Sequence, residues 1–336
     1  MRNLTLRLAE WYRSARLPPI VPDTPDAGVW IVVVSWNCEA LLPTCLSALE
    51  RQTLPVRVVV VDNASRDAIR DVVARTPAVT LVPLERNAGF AEASNVGIRH
   101  ALGRGARFVG LVNPDVVIAP DWVERLVAAA DAHPDAGLFG GLLVFDDDPT
   151  RVNSTGLVMD ALGRVFDRDF GASLATLDRA DGPALGVTGG AVLLRADALR
   201  RVGLLDPTYF AYYEDADLSL RARRAGVGAM YTAAARARHG FGRSIGAGSP
   251  RQRYLLARNH LRFVGSHLPL WRALPVMLTV PALRAAVMAP LQLVRGRPDH
   301  ARAQLRAALD GLALAVDALI RRMERKRALA PWLGAR

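Results

Sequence analysis

The residues best equipped for chemistry stand together at Asp206-Pro207-Thr208-Tyr209-Phe210-Ala211-Tyr212-Tyr213-Glu214-Asp215-Ala216-Asp217-Leu218, where an aromatic run leads into three carboxylates. Aromatic faces suit the apolar side of a sugar ring, and a carboxylate beside them can take a proton from an attacking hydroxyl. Acids also favour helix N-termini through the macrodipole, which accounts for the carboxylates but not for the aromatics ahead of them. A second acid, Asp115, ends the apolar run FVGLV in Asn113-Pro114-Asp115. A carboxylate at a strand end can hold magnesium or manganese bridging two phosphates; a plain turn aspartate is the simpler reading. His239 lies in His239-Gly240-Phe241-Gly242-Arg243-Ser244, a setting for either an anion or metal-diphosphate clamp or a structural histidine.

Two further polar clusters suit a nucleotide. Asp62-Asn63-Ala64-Ser65 closes a valine-rich run, so its carboxylate can accept from a base imide or a ribose hydroxyl while Ser65 caps the next helix. Arg86-Asn87-Ala88-Gly89-Phe90, with Ser94-Asn95 beyond, pairs a glycine that permits close backbone approach with a helix start offering free N–H groups to phosphate. The glycine spacing is neither G-x-G-x-x-G nor a P-loop, which leaves a dehydrogenase or P-loop kinase without support.

These clusters need elements to place them. VWIVVVS (29–35) and VRVVVVD (56–62) read as strands buried on both faces, with Val79–Pro83 and Phe108–Val112 as the third and fourth. Helical periodicity fills the gaps over Cys38–Glu50, Asn87–Leu102 and Asp121–Asp131. Strand alternating with helix predicts an α/β fold, a doubly wound, mostly parallel sheet whose ligands collect beyond the carboxyl ends of the strands. Each polar cluster falls at such an end. From about Gly137 to Gly240 added strands and loops continue the domain, and Asp215–Ala225 is a helix closed by Gly226.

The net charge of +11 over 336 residues is concentrated. Residues 250–336 carry 16 Lys+Arg against 4 Asp+Glu, whereas 1–249 balance at −1. A basic tail rich in Leu, Ala and Val points to an anionic membrane face rather than nucleic acid. Leu268–Val294 is its most apolar stretch, interrupted by Arg272, Arg284 and four prolines, so it is expected to lie in the interface rather than span. Leu305, Leu309, Leu312, Val316, Leu319 and Met323 form a helical seam that meets membrane, the catalytic domain or a second copy as a homodimer. Cys38 and Cys45 are too far apart along one helix for a disulfide, in keeping with a reducing cytosolic setting. Residues 1–28 are basic and lack the apolar core of a signal peptide.

In order and spacing, VVVSWN (32–37), VVVDNASRD (59–67), RNAGFAEASNVGI (86–98), LVNPDV (111–116), TGGAVLLRADALRRVGLLD (188–206) and FAYYEDADLSLRARRAG (210–226) resemble glycosyltransferase family 2, in its bacterial rhamnosyltransferase-like branch. The resemblance implies a GT-A type, Rossmann-like catalytic domain over 29–249, preceded by a basic segment and followed by a helical basic extension over 250–336. It implies an inverting transfer from a nucleotide diphosphate donor, with dTDP-L-rhamnose the best match, to a saccharide or lipid-linked saccharide. Asp215 would be the base, with Glu214 and Asp217 orienting acceptor or loop. Ser35, Asn37, Asp62, Asn63, Asn87, Gly89, Asn95 and Asn113 would line the donor pocket, Gly189 and Gly190 would admit its sugar, and Arg243 would face its diphosphate. Asp115 would be the remaining acid of a D-x-D motif whose first position is here Asn113, joined by His239 on a divalent cation, magnesium or manganese. The enzyme would work in cell-surface polysaccharide synthesis, peripheral on the inner face of the cytoplasmic membrane. A nucleotidyltransferase would instead carry a glycine- and lysine-bearing loop after the first strand, which VVVSWNCEALL lacks. A non-catalytic sugar-nucleotide-binding assembly partner would have no use for the acids at 214, 215 and 217.

Overall fold

The computed structural model describes residues 28–333 other than 77, 241, 243–245 and 247, with side chains as far as residue 324. The valine-rich runs form β1 (Val29–Ser35) and β2 (Val56–Asp62), flanked by β3 (Val79–Pro83) and β4 (Phe108–Val112), all mutually parallel. Their register sets Ser35 beside Asp62, and Asp62 beside Pro83, at one carboxyl edge. Helices α1 (Leu42–Glu50), α2 (Ile69–Ala74) and α3 (Phe90–Leu102) make the crossovers. The chain continues through β5 (Val116–Ile118), α4 (Trp122–Ala132), β6 (Ala136–Phe145), β7 (Val152–Ser154), β8 (Leu157–Met159), β9 (Val165–Asp167), β10 (Gly182–Ala184), β11 (Ala191–Arg195), α5 (Ala196–Val202), α6 (Glu214–Arg224) and β12 (Gly228–His239).

The main sheet runs β10-β12-β6-β11-β4-β1-β2-β3, with β5 added on β12 and β7 on β6. Its β4-β1-β2-β3 half is parallel; β11 enters antiparallel between β4 and β6, making the whole sheet mixed. Both faces are covered. Ile31, Val33, Val58 and Val60 pack under α1, α2 and α4, while Trp30, Val32, Val59 and Val61 pack under α3, α5 and α6. Each fully buried Val or Ile contributes roughly 1.5–3 kcal/mol, so alternate sides of every central strand help secure a helix layer.

Three helix starts differ from the sequence reading. Pro43 fixes the first turn of α1, so Cys38 lies ahead of the helix in a turn whose carbonyl accepts from Leu41 and Leu42. Both cysteines are free and buried. Gly89 (φ 86°, ψ 165°) sits in a conformation essentially restricted to glycine and delays α3 to Phe90. At α6 the left-handed Tyr213 serves as N-cap, so the helix begins at Glu214, and Gly226 (φ 70°) follows its end.

The chain divides into two compact units. The first holds the chain to Val158 and again from Phe166 through β12; the second holds Met159–Val165 with the helices from Pro250 onward. A clean cut at 249/250 is therefore corrected. Residues 159–165 side with the helices because His260 bonds the Leu162 carbonyl at 3.0 Å and Arg272 bonds that of Ala161.

The second unit consists of α7 (Pro250–His267), α8 (Leu270–Leu283), a π-helical segment (Arg284–Met288), α9 (Ala289–Val294) and α10 (Pro298–Leu333). Its core joins Leu261 and Val264 of α7, Ala273, Val276 and Met277 of α8, and Ala315 of α10. The expected apolar seam of α10 is split: Leu305, Leu309, Val316 and Met323 are exposed, while Leu312 packs on the core and Leu319 is half-buried. Alanines 301, 308, 315 and 318 are buried instead, since small side chains let helix backbones approach closely.

Candidate active site

Every strand of the parallel half ends on the same rim, and the loops there are tied to one another. Asn63 donates to Asn87 Oδ1 at 3.1 Å and accepts from the Ala88 N–H at 2.8 Å. Asn87 Oδ1 also accepts from the Gly89 N–H at 2.9 Å. Asn37, left-handed at φ 53°, donates its N–H to Ser65 Oγ and accepts from the Arg66 N–H. Asp62 is fully buried; its carboxylate accepts from the Ser65 N–H at 2.8 Å and from Arg70 at 3.2 Å. The Ser35 hydroxyl lies buried at this rim with no hydrogen-bond partner. The rim is thus a preorganised polar floor rather than a set of loose side chains.

Asn95 does not belong to it. Its amide bonds both the Leu205 carbonyl (2.8 Å) and the Leu205 N–H (3.0 Å), filling its main hydrogen-bonding capacity inside the protein. The donor-pocket expectation for Asn95 is corrected: it clasps α3 to the segment that leads into the acidic cluster.

The centre of the site is Gly189-Gly190, just ahead of β11. The Gly189 N–H donates to Asp215 Oδ2 at 2.9 Å, and the Gly190 carbonyl accepts from the Asn113 N–H at 2.9 Å. A Cβ on Gly189 would stand 3.4 Å from that of Asp215; one on Gly190 would stand 3.5 Å from the His239 ring. The pair therefore forms an open cradle with Asp215 on one side and His239 on the other.

Asp115 and His239 meet on the far side. His239 Nε2 is 3.5 Å from Asp115 Oδ1, a buried oxygen with no hydrogen bond. The other ring nitrogen, Nδ1, is 2.9 Å from Asn153 Oδ1. With Asn153 Oδ1 as acceptor, Nδ1 is the donor of the neutral ring and Nε2 is left to present its lone pair beside Asp115. Two electron-pair donors aimed at one point fit a hard divalent cation. Among the described residues no group of three or more His, Cys, Asp or Glu forms a metal site, so the remaining ligands would come from substrate phosphates and water.

The acids of α6 are unequal. Asp217 is buried and bonds Arg221 at 2.7 Å, which in turn holds the carbonyls of Val202 (2.9 Å) and Leu204 (2.7 Å). Its role is to brace the loop. Glu214 and Asp215 border an apolar crevice lined by Phe90, Leu138, Val192 and Leu205. Burial there pushes Glu214 well above the usual carboxylate range, and the charge of Asp215 adds to it. Asp215 is also raised by burial, opposed by the N–H groups of Gly189 and Ala216. Ahead of them Phe210 is the centre of a strained γ-turn (φ 67°, ψ −61°), closed by the Ala211 N–H on the Tyr209 carbonyl at 2.8 Å. Tyr212 and Tyr213 follow at φ 69° and 74°. These left-handed residues store backbone strain beside the Glu214–Asp215 pair.

Two site residues escaped the sequence reading. Asn153 fixes His239, and Asp167 of β9 carries a buried, unpartnered Oδ1. Burial raises Asp167 to about 6; the Ser154 hydroxyl opposes this, the Asp215 charge adds to it and His239 lowers it. Arg243 lies outside the described residues.

Known proteins resemble this chain in both sequence and fold. The profile of Glycosyl transferase family 2 matches residues 30–203. The N-acetylglucosaminyl-diphospho-decaprenol L-rhamnosyltransferase of Mycobacterium tuberculosis is 29% identical over 295 residues, covering 80% of this chain and 94% of its own. A dTDP-rhamnosyl transferase of Shigella flexneri is 30% identical over 123 residues, 36% of this chain and 40% of its own. Among solved structures, a Pyrobaculum calidifontis mannosyltransferase in complex with GDP-Man and Mn2+ superposes with TM-score 0.52 at 19% identity, over 93% of this chain and 94% of that one. This structural likeness identifies the GT-A type of α/β fold.

Proposed function

Because the chain belongs to glycosyltransferase family 2, in its rhamnosyltransferase-like branch, we propose that it transfers L-rhamnose from dTDP-rhamnose, with inversion, to a saccharide or lipid-linked saccharide acceptor. The observation that carries this reading is the glycine cradle, with a backbone-held carboxylate on one side and the Asp115–His239 pair on the other.

In this proposal Asp215 takes the proton of the acceptor hydroxyl, whose oxygen attacks the anomeric carbon opposite the departing diphosphate. The Gly189 N–H steadies the carboxylate for that approach, and burial favours the neutral form of Glu214 beside it. Asp115 and His239 would hold a magnesium or manganese ion, which when bound supplies charge neutralisation for the nucleotide diphosphate. Asn153 keeps the His239 lone pair directed at that point. Ser35, Asn37, Asp62, Asn63 and Asn87 make the nucleotide floor. The rhamnosyl donor and the lipid-linked acceptor class rest on the names of the two relatives; work in polysaccharide synthesis on the cytoplasmic membrane face is part of the same proposal.

The test is donor hydrolysis and transfer across a panel of nucleotide sugars, with and without Mn2+, with the product identified by mass spectrometry. Metal-stimulated turnover of dTDP-rhamnose above all other donors is expected. Preference for another donor would overturn the rhamnosyl assignment, and turnover of none would overturn catalysis.

A further inference from the structure

The second unit carries an apolar surface that its own packing leaves uncovered. From Leu270 to Val294 the chain is continuously helical; 18 consecutive residues within it have mean hydropathy 1.6, and only 17% of those are buried. The inner side of α8, through Ala273, Val276 and Met277, packs on α7 and α10. The outer side presents Trp271 (75% exposed), Leu274, Leu278 (72%), Leu283, Val287 and Val294 (86%) to solvent. Both arginines that interrupt this stretch in sequence are held by the protein: Arg272 bonds the Ala161 carbonyl, and Arg284 bonds Gln304 at 2.7 Å. The Arg272 guanidinium also lies over the Trp271 ring, 5.8 Å from its centroid, and beyond it the outward residues from Leu274 to Val294 are uncharged. Exposed Arg295 and Arg297 stand directly at its end.

We propose that this stripe is an in-plane membrane anchor that sinks into the headgroup–acyl boundary of an anionic leaflet, with Arg295 and Arg297 on lipid phosphates. A stripe of large apolar side chains bordered by arginines has the composition of an interfacial helix. Residues 250–336 balance at +12, which favours an anionic surface over a neutral one. Length alone would let Leu270–Val294 cross a bilayer, but its neighbours forbid it. The adjoining α10 carries the exposed ion pairs Arg302–Asp299 and Arg306–Asp310, which hydrocarbon would not accommodate. One face docked on protein and the other immersed is the arrangement that satisfies both. The inference deepens the lipid-linked acceptor reading, placing the enzyme on the surface where such an acceptor resides.

The experiment uses the full chain without donor or acceptor, so its outcome is independent of the sugar transferred. Flotation with phosphatidylcholine vesicles with and without phosphatidylglycerol should show binding that depends on the anionic lipid. Leu274→Asp with Leu278→Asp should lower the partition constant by about tenfold or more, and Arg295→Glu with Arg297→Glu by a similar factor, selectively on anionic vesicles. Far-UV circular dichroism confirms the fold of each variant; Leu278→Ser serves if the aspartates unfold it. Undiminished flotation of the apolar-face variants overturns the proposal, as does equal binding to neutral vesicles. Conversion of a lipid-free dimer to monomer by Leu278→Ser, read by light scattering, would overturn it in favour of a second copy.

Discussion

Replacing Asp215 with Asn alters one atom of a carboxylate that two backbone N–H groups hold, from Gly189 at 2.9 Å and Ala216 at 2.7 Å. The amide keeps one oxygen, enough for the Gly189 N–H, and turns its NH2 toward Ala216. Losing that acceptor costs about 1 kcal/mol, offset in part because burial disfavours the charge that is removed. The fold should therefore survive nearly unchanged. Chemistry should not, because the amide cannot take a proton. A positioned base supplies about 10²–10⁴ in rate, roughly 3–5 kcal/mol of the barrier. The expected result is a kcat lower by that factor, with nucleotide affinity within about threefold of the parent; the Asn63–Asn87 floor makes no contact with this side chain. Steady-state transfer measures the first quantity and calorimetric titration of the nucleotide with Mn2+ the second. A kcat within about fivefold of the parent would refute the base assignment. So would a loss explained wholly by weaker donor binding.

The same contacts set further expectations. Asp115→Ala should abolish the Mn2+ dependence of nucleotide binding, and metal-independent affinity in the parent would sink the metal role. Asn153→Ala frees the His239 ring and should weaken Mn2+ affinity about 10–100-fold, read by titration without turnover. Gly89→Ala forces a Cβ to 2.6 Å from the Phe210 carbonyl oxygen at φ 86° and should destabilise by at least about 2 kcal/mol, visible as a lower thermal midpoint. Since only the Asp215 anion accepts a proton and burial raises its pKa, kcat/KM should fall with decreasing pH above the ordinary carboxylate range. Asp167, raised from 3.8 to about 6, favours the folded state below the lower value and loses that contribution as pH rises through the upper one. Asp167→Asn should remove this slope and stabilise the protein above pH 6 by up to about 3 kcal/mol; parallel melting curves of parent and variant would contradict it.

The parallel half of the sheet was legible because strands buried on both faces must be Val- and Ile-rich, and β1 and β2 are little else. The acids of α6 were legible because aromatic and acidic residues stand side by side in sequence. Asn153 was not, since its partner His239 is 86 residues away and Asn-Ser-Thr-Gly reads as a turn. Asp167 comes after an exposed phenylalanine in a three-residue strand too short for periodicity to show. Asn95 misled for the opposite reason: a buried helical asparagine that clasps a distant backbone looks, in one dimension, like a ligand contact. The α10 leucines misled because sequence period gives a stripe but not its direction. There alanines and Leu312 pack while Leu305 and Leu309 face out.

The contact between Gly89 and Phe210 has a consequence for how substrates influence each other. The Phe210 carbonyl accepts from the Ala91 N–H at 3.1 Å, in the first turn of α3, and Phe210 stands three residues before the cap of the helix that bears Asp215. In the proposed function, a nucleotide settling on the Asn87–Gly89 backbone would press on the same junction that aims Asp215. Donor occupancy and acceptor affinity would then be linked through this joint, and linkage requires the factor to be the same whichever substrate binds first.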